Sequence, residues 1–239
     1  MSDNLYAPPR SELGQEARLS EGSGDFDFGR AFSDAWANTW ANFPLWLLAG
    51  IVSLLSMLVA TVTIIGLFLV VPILFWGAFA FVLRMHDGGA RLGDLFSGFQ
   101  QYGRVLGGMI GFYLLTLVIS VVSQAPLMVA QATNAGAPAL IAGWVINLGV
   151  TLLITPRLYM AIFLMIDRGL GLGEGLRLAW DRTSGLMWKL AGLMLIAIPI
   201  LLVGAAALLI GMIPAAVVSY LMWPSAYRQI FGGAPQAAA

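Results

Sequence analysis

The sequence predicts an all-α polytopic membrane protein whose six transmembrane helices form three hairpins, each preceded by an interfacial amphipathic helix. The first observation behind this is a set of three uncharged runs, Ala35 to Leu83, Val105 to Pro156 and Leu190 to Tyr227, of 49, 52 and 38 residues. An apolar helix crosses a bilayer core with roughly 20 residues, so each run is long enough to enter and return. The second is that the expected hairpin tips, near Thr63 to Gly66, Gln131 to Pro138 and Gly204 to Ala207, contain no Lys, Arg, Asp or Glu. Every charged residue except Arg157 therefore falls toward the opposite ends, and an excess of Lys and Arg marks the cytoplasmic side, with both termini there. The third is composition: 10% charged residues against about 25% in soluble proteins, with a mean hydropathy of +0.86, excludes an ordinary soluble domain.

Residues 1–25 are a polar tail with a net charge of −3, from Arg10 and Arg18 against Asp3, Glu12, Glu16, Glu21 and Asp25. So few apolar residues cannot bury a core, and a disordered cytoplasmic segment is expected. Its Tyr6-Ala7-Pro8-Pro9 stretch reads either as a solvated leader or as a polyproline-type docking peptide. No positive n-region and apolar h-region open the chain, so the first hairpin is expected to direct insertion.

The membrane domain, residues 26–230, divides into repeats over about 26–88, 89–169 and 170–232, with residues 231–239 expected to be flexible. Each hairpin follows a segment with apolar residues at helical spacing: Phe28, Phe32, Trp36, Trp40 and Phe43, then Leu92, Phe96, Phe99 and Tyr102, then Leu172, Leu176, Trp180 and Met187. Three helices lying at the membrane interface fit this pattern. Each outgoing span carries a proline, Pro72, Pro156 or Pro214, and an arginine follows at Arg84, Arg168 or Arg228. The Gly169, Gly171, Gly173 and Gly175 run is expected to unwind span 4 ahead of the third interfacial helix.

Two spans carry small residues at every fourth position: Gly103, Gly107 and Gly111, and Ala207, Gly211 and Ala215. Lipid supplies no hydrophobic drive for helix association, so such stripes predict close packing, within one chain or between the subunits of a homo-oligomer. The middle hairpin adds polar stripes, Thr116, Ser120 and Gln124 on span 3 and Asn147, Thr151 and Thr155 on span 4. Facing one another, they would form either interhelical hydrogen bonds or a hydrated path.

Arg157 breaks the repeat, because the residues after Pro72 and Pro214 are Ile73 and Ala215. If span 4 exits at Asp167, Arg157 lies about 15 Å inside the membrane, where a charge costs about 2.5 to 3.5 kcal/mol. No acidic residue within the spans compensates it. Its candidate partners are carbonyls freed by Pro156, the Asn147 and Gln124 amides, a lipid phosphate or an anionic ligand. The other reading ends span 4 early and lets Arg157 snorkel to the headgroups.

Catalytic and metal patterns are missing from the sequence. His86 is the lone histidine, no cysteine exists, and neither a G-x-S-x-G elbow nor a G-x-G-x-x-G loop occurs, so no enzyme activity, metal or cofactor is expected. Zero net charge argues against nucleic acid and leaves membrane lipids as the expected partner.

Asp94-Leu95-Phe96-Ser97-Gly98-Phe99, and Ile166-Asp167 followed by Glu174-Gly175-Leu176-Arg177-Leu178-Ala179-Trp180, resemble segments of the YciC-like proteins and of the membrane domain that precedes some glycerophosphodiester phosphodiesterases. The resemblance covers most of the chain after residue 26 and implies a six-helix protein of the bacterial inner (cytoplasmic) membrane, with no phosphodiesterase domain following. The architecture also resembles that of mitochondrial carriers, whose charged motif after the proline is missing here. The expected function is that of a non-enzymatic organising or accessory protein; the alternative is a transporter or flippase for an anionic or amphipathic solute using Arg157. Topology is directly testable because the chain has no cysteine. A cysteine at Ala135 is expected to label from the periplasm, and one at Ser97 or Ser184 only after permeabilisation; the reverse pattern would remove the six-span arrangement.

Overall fold

The computed structural model describes residues 24–206 and 208–232. The first 23 residues of the expected tail, including residues 6–9, together with Ala207 and residues 233–239, lie outside the described residues. Every regular element described is helical: α1 (Phe28–Ala41), α2 (Phe43–Thr61), a π-helical turn (Gly66–Val70) running into α3 (Val71–His86), a 3₁₀ helix (Leu92–Gln101), α4 (Tyr102–Ala132), α5 (Gly136–Asp167), α6 (Leu172–Thr183), α7 (Met187–Ala206) and α8 (Leu208–Phe231). Among the described residues five stretches are long and apolar enough to cross a membrane, namely Phe43–Thr61, Gly66–His86, Leu92–Ala132, Gly136–Asp167 and Leu172–Ala206. The chain is therefore an all-α multi-pass membrane protein. Helix α8 adds 24 residues whose lone charge is Arg228.

Local chemistry sets the boundaries. Asp27 caps α1 by accepting from the Arg30 N–H at 2.7 Å, satisfying one of the orphan donors of a helix start. Pro44 and Pro72 occupy the first turns of α2 and α3, where a missing N–H costs nothing. Asn134 and Gly136, at φ 51° and 77°, turn the chain between α4 and α5 through the left-handed region that glycine and asparagine tolerate.

α4 packs against α5, and α7 against both α8 and, more lightly, α5. Helix α1 lies along α8, burying Ala31, Ala35 and Thr39. These small residues allow close approach, and the Thr39 hydroxyl donates back to the Ala35 carbonyl at 2.7 Å. On the other edge of α1 the aromatic row Phe32, Trp36 and Trp40 remains exposed, its rings stacked edge to face or in parallel. The second expected interfacial helix is a 3₁₀ helix instead of an α-helix. Its three-residue turn aligns Phe96, Phe99 and Tyr102 on an exposed edge and Leu95 and Gly98 on a buried one. Gly77 and Gly98 explain the tight geometry, since a Cβ on Gly98 would sit 2.8 Å from the Ile73 side chain and one on Gly77 would collide with the Leu95 backbone.

The core sits at the charged end. Met160 to Leu164 of α5, Phe81 of α3, Leu190 and Leu193 of α7, and Leu221 to Tyr227, Ile230 and Phe231 of α8 are buried there. At the other end α2, α4 and α7 present Leu58, Val59, Val122, Val129, Leu202 and Val203 outward. α8 continues through a buried Phe231, so the regular structure reaches into the segment expected to be flexible.

Arg228 holds this end together. It grips Asp87 with two hydrogen bonds, at 3.0 and 2.6 Å, and reaches Asp167 at 2.8 Å. The Tyr227 hydroxyl donates to the same Asp167 oxygen at 2.7 Å, and Arg168 donates to the Phe231 carbonyl at 2.7 Å. Asp87, Asp167 and Arg228 stand at the ends of α3, α5 and α8, and the side chains of Arg228 and Asp167 are only 11% and 5% exposed. Farther out, Lys189 bonds Asp25 at 2.6 Å and, with the Phe26 N–H, holds that carboxyl below its ordinary range. This exposed contact contributes above the ordinary carboxylate pKa and fades as pH falls through the lowered one. Replacing Arg228 by Met leaves a nearly buried Asp167 without its cation, for which a loss of about 3 to 5 kcal/mol is expected. Equilibrium unfolding in mild detergent, compared with the Arg228→Met/Asp167→Asn double variant, measures it; the double variant is expected to lose less than the single one.

Candidate functional site

The polar stripes of the middle helix pair meet in a crevice of about 480 Å³ between α4 and α5, lined by Thr116, Ser120, Ser123 and Gln124 on one side and Asn147, Thr151, Thr155 and Tyr159 on the other. Two hydrogen bonds link its polar groups. Gln124 Nε2 donates to Ser120 Oγ at 2.6 Å along α4, and Asn147 Nδ2 donates across the pair to Ser123 Oγ at 3.3 Å. Thr116 and Ser123 turn their hydroxyls back to the carbonyls three residues earlier, at 2.9 and 3.0 Å, the usual local satisfaction of a helical hydroxyl.

The expected trio of Arg157, Asn147 and Gln124 is divided. Asn147 and Gln124 share the crevice, whereas Arg157 projects from another face of α5 and lies over the Trp180 ring of α6, 4.3 Å from its centroid. Residues 157, 161 and 165 form one edge of α5, and α6 runs along it: a Cβ on Gly175 would lie 3.2 Å from both the Ala161 carbonyl and the Met165 side chain. Arg157 is 8% exposed. Its Nε is sealed off without a hydrogen-bond partner, and among the described residues no carboxylate pairs with it. A guanidinium over an indole face is attracted by the ring quadrupole, but the ring does not neutralise its charge.

The length of α5 bears on both expected readings of the position of this charge. Its 32 residues extend about 48 Å, beyond a hydrocarbon core of about 30 Å. The end covered by protein is the one from Pro156 to Met165, buried apart from Tyr159, while Ile141 to Leu148 is mostly exposed. Measured from Gly136, Arg157 lies about 32 Å along the axis, where the exposed stretch of α5 gives way to the protein-covered one.

The small-residue stripes also divide. A Cβ on Gly103 or Gly107 would meet nothing within 4 Å, while one on Gly111 would press on Leu172 and one on the neighbouring Gly108 on Met165. Gly211 and Ala215 pack against Gly204 of α7, where a Cβ would sit 2.8 Å from the Gly211 carbonyl. Ala207 lies outside the described residues. Ser123, Tyr159 and Trp180 were not singled out as site residues by the sequence reading. Tyr159 continues the four-residue row of Asn147, Thr151 and Thr155, so its place was readable; Trp180 is 23 positions from Arg157 and carried no such signal.

His86 borders a separate surface hollow with Asp34 and Asn38, and no cluster of three or more metal-ligating side chains occurs among the described residues. The fold and this site define a helical multi-pass membrane protein with an uncharged polar crevice and an unpaired arginine. No family model, curated protein or solved structure matches the chain. A double-mutant cycle of Arg157→Met and Trp180→Leu, read by thermal unfolding, is expected to give a coupling of about 0.5 to 2 kcal/mol; additive effects would remove the stacking contact.

Proposed function

We propose that the chain is a non-enzymatic organising or accessory protein of the bacterial inner membrane. In this reading it crosses six times as three hairpins, with α8 as the sixth span and both termini in the cytoplasm. The observation that carries the proposal is the row of exposed aromatic side chains at the charged end, Phe32, Trp36 and Trp40 on α1, Phe96 and Phe99 on the 3₁₀ helix, and Tyr102 at the start of α4. Aromatic rings of this kind favour the headgroup level, so the charged end would act as a wide skirt in one leaflet while the apolar tips stand in lipid.

Arg157 is the contact with lipid. Among the described residues its charge has no counter-ion, and in this reading it stands at the limit of the lipid-facing stretch, where a phospholipid phosphate supplies the missing acceptor. The open edge of Gly103 and Gly107 supports a homo-oligomer, through a face on which another helix meets no side chain. The competing transporter or flippase reading needs a polar path joined to Arg157, and Arg157 does not line the crevice.

Reconstitution with and without phosphatidylglycerol tests the reading. The anionic lipid is expected to raise the Tm of the wild type, to leave Arg157→Ala unchanged, and to act only partly on Arg157→Lys, because an ammonium lacks the bidentate fork. Equal stabilisation of all three forms would remove Arg157 as the lipid contact. In the same vesicles, translocation of headgroup-labelled phospholipid faster than in protein-free controls would replace the organising role by transport.

A further inference from the structure

The α4–α5 crevice has a chemistry that Arg157 does not explain. Its walls are rows of uncharged donors and acceptors, Thr116, Ser120 and Gln124 facing Asn147, Thr151 and Thr155. The neighbouring faces are apolar and outward, with Leu117 and Val121 on α4 and Val145 and Leu148 on α5 all exposed. Hydrocarbon leaves polar groups unsatisfied, so polar side chains in such a setting need partners. The two hydrogen bonds of the crevice use one N–H of each amide. Among the described residues both amide carbonyls and the hydroxyls of Thr151 and Thr155 have no protein partner.

The shape of the crevice limits what can fill it. Toward the tips the helices touch: Gly143 is buried, and a Cβ there would lie 2.8 Å from Leu127 Cα. One turn farther along, Asn147 still reaches across to Ser123 at 3.3 Å; the crevice opens beyond it, between Thr116 and Ser120 on one side and Thr151 and Thr155 on the other, and Gln124 is exposed at the edge. The crevice is closed at its tip end and open sideways. Its volume of about 480 Å³ is about sixteen times the ~30 Å³ that one water occupies in the liquid. No charged side chain lines it, so an ionic head would lose its hydration without gaining a counter-charge.

The geometry points to a binding site for the uncharged, hydroxyl-bearing head of a membrane amphiphile, of glycerol or sugar type, which slides in sideways while its chains remain in lipid. A hydroxylated head both donates and accepts, and so meets the free carbonyls and hydroxyls together. The closed end at Gly143 and Leu127 makes this a site of capture and not of passage. The inference rests on the reading that α4 and α5 span the bilayer and is independent of the phosphate contact at Arg157.

The test uses the full chain in mild detergent, with lipid retention measured by native mass spectrometry. The probes are diacylglycerol, monoglucosyl-diacylglycerol, phosphatidylglycerol and a fatty-acid methyl ester that offers a chain without a hydroxylated head. One or both neutral hydroxylated lipids are expected to be retained about tenfold more than the ester, and Asn147→Leu/Thr151→Val is expected to remove about that factor, as loss of several hydrogen bonds should. The two neutral probes separate a glycerol from a sugar head. Arg157→Gln is expected to lower phosphatidylglycerol retention alone. If the double variant fails to elute as folded protein, Thr151→Val alone is read, with a loss of about threefold expected. Retention equal to that of the ester, or unchanged in the crevice variants, overturns the site. A result in which phosphatidylglycerol binds through Arg157 and neither neutral lipid binds overturns this inference and leaves the proposed function standing; loss of the Arg157 effect with neutral binding intact does the reverse.

Discussion

The Arg228 clamp is the constraint on which the rest of the structure depends. One guanidinium, near the end of the last helix, joins Asp87 beyond α3 and Asp167 at the end of α5, residues separated by 141 and 61 positions in the chain. Buried charges of this kind cost desolvation that their attraction barely offsets, so their main value lies in fixing one arrangement among several. Here the arrangement is the convergence of three outgoing helices at one end. Tyr227, stacked on Phe231 and bonded to Asp167, extends the same junction into the apolar core. Ser225 does so toward α1 by donating to Asp34 at 3.0 Å.

Convergence at one end leaves the other ends free to separate. Lipid chains are as apolar as leucine, so nothing drives the exposed faces of the helices together; close backbone contacts, Gly143 on Leu127 between α4 and α5 and Gly204 on Gly211 between α7 and α8, with the Asn147–Ser123 hydrogen bond, hold them in pairs. The crevice follows from this geometry. Helices that touch at Gly143, are still bridged at Asn147 and part toward Thr151 and Thr155 enclose a wedge, and the wedge is lined with hydroxyls and amides. Arg157 marks where the wedge ends and the protein-covered part of α5 begins.

Much of this was legible in the sequence. Charge-free runs located the apolar helices, the turns at Val62–Thr63 and Thr133–Asn134 fell at the charge-free segments expected for the first two tips, and the four-residue rows from Thr116 and from Asn147 gave the two walls of the crevice. Periodicity along one helix is a local property, and these features are local. The clamp is not: Arg228 read only as the third proline-spaced arginine, because no pattern connects it to Asp87 or Asp167. The stacking of Arg157 on Trp180 depends on α6 folding back along α5, which Gly175 permits and no spacing announces. The 3₁₀ form of Leu92–Gln101 was hidden because Phe96, Phe99 and Tyr102 fit an α-helical edge nearly as well as a 3₁₀ one. Gly107 matched the packing stripe, yet the register of α4 against its neighbours gave that role to Gly108.

Pulsed electron spin resonance on paired nitroxide labels in lipid nanodiscs tests the central claim, that one charged junction gathers the helices while their far ends stay loosely held. Labels at Gly89 and Gly171 report the charged end, and labels at Val62 and Ala135 report the tips. The account predicts a narrow distance distribution for the first pair and a broad one for the second, with the first broadening in an Arg228→Met background. A charged-end distribution as broad as that of the tips, or one indifferent to the loss of Arg228, would contradict it.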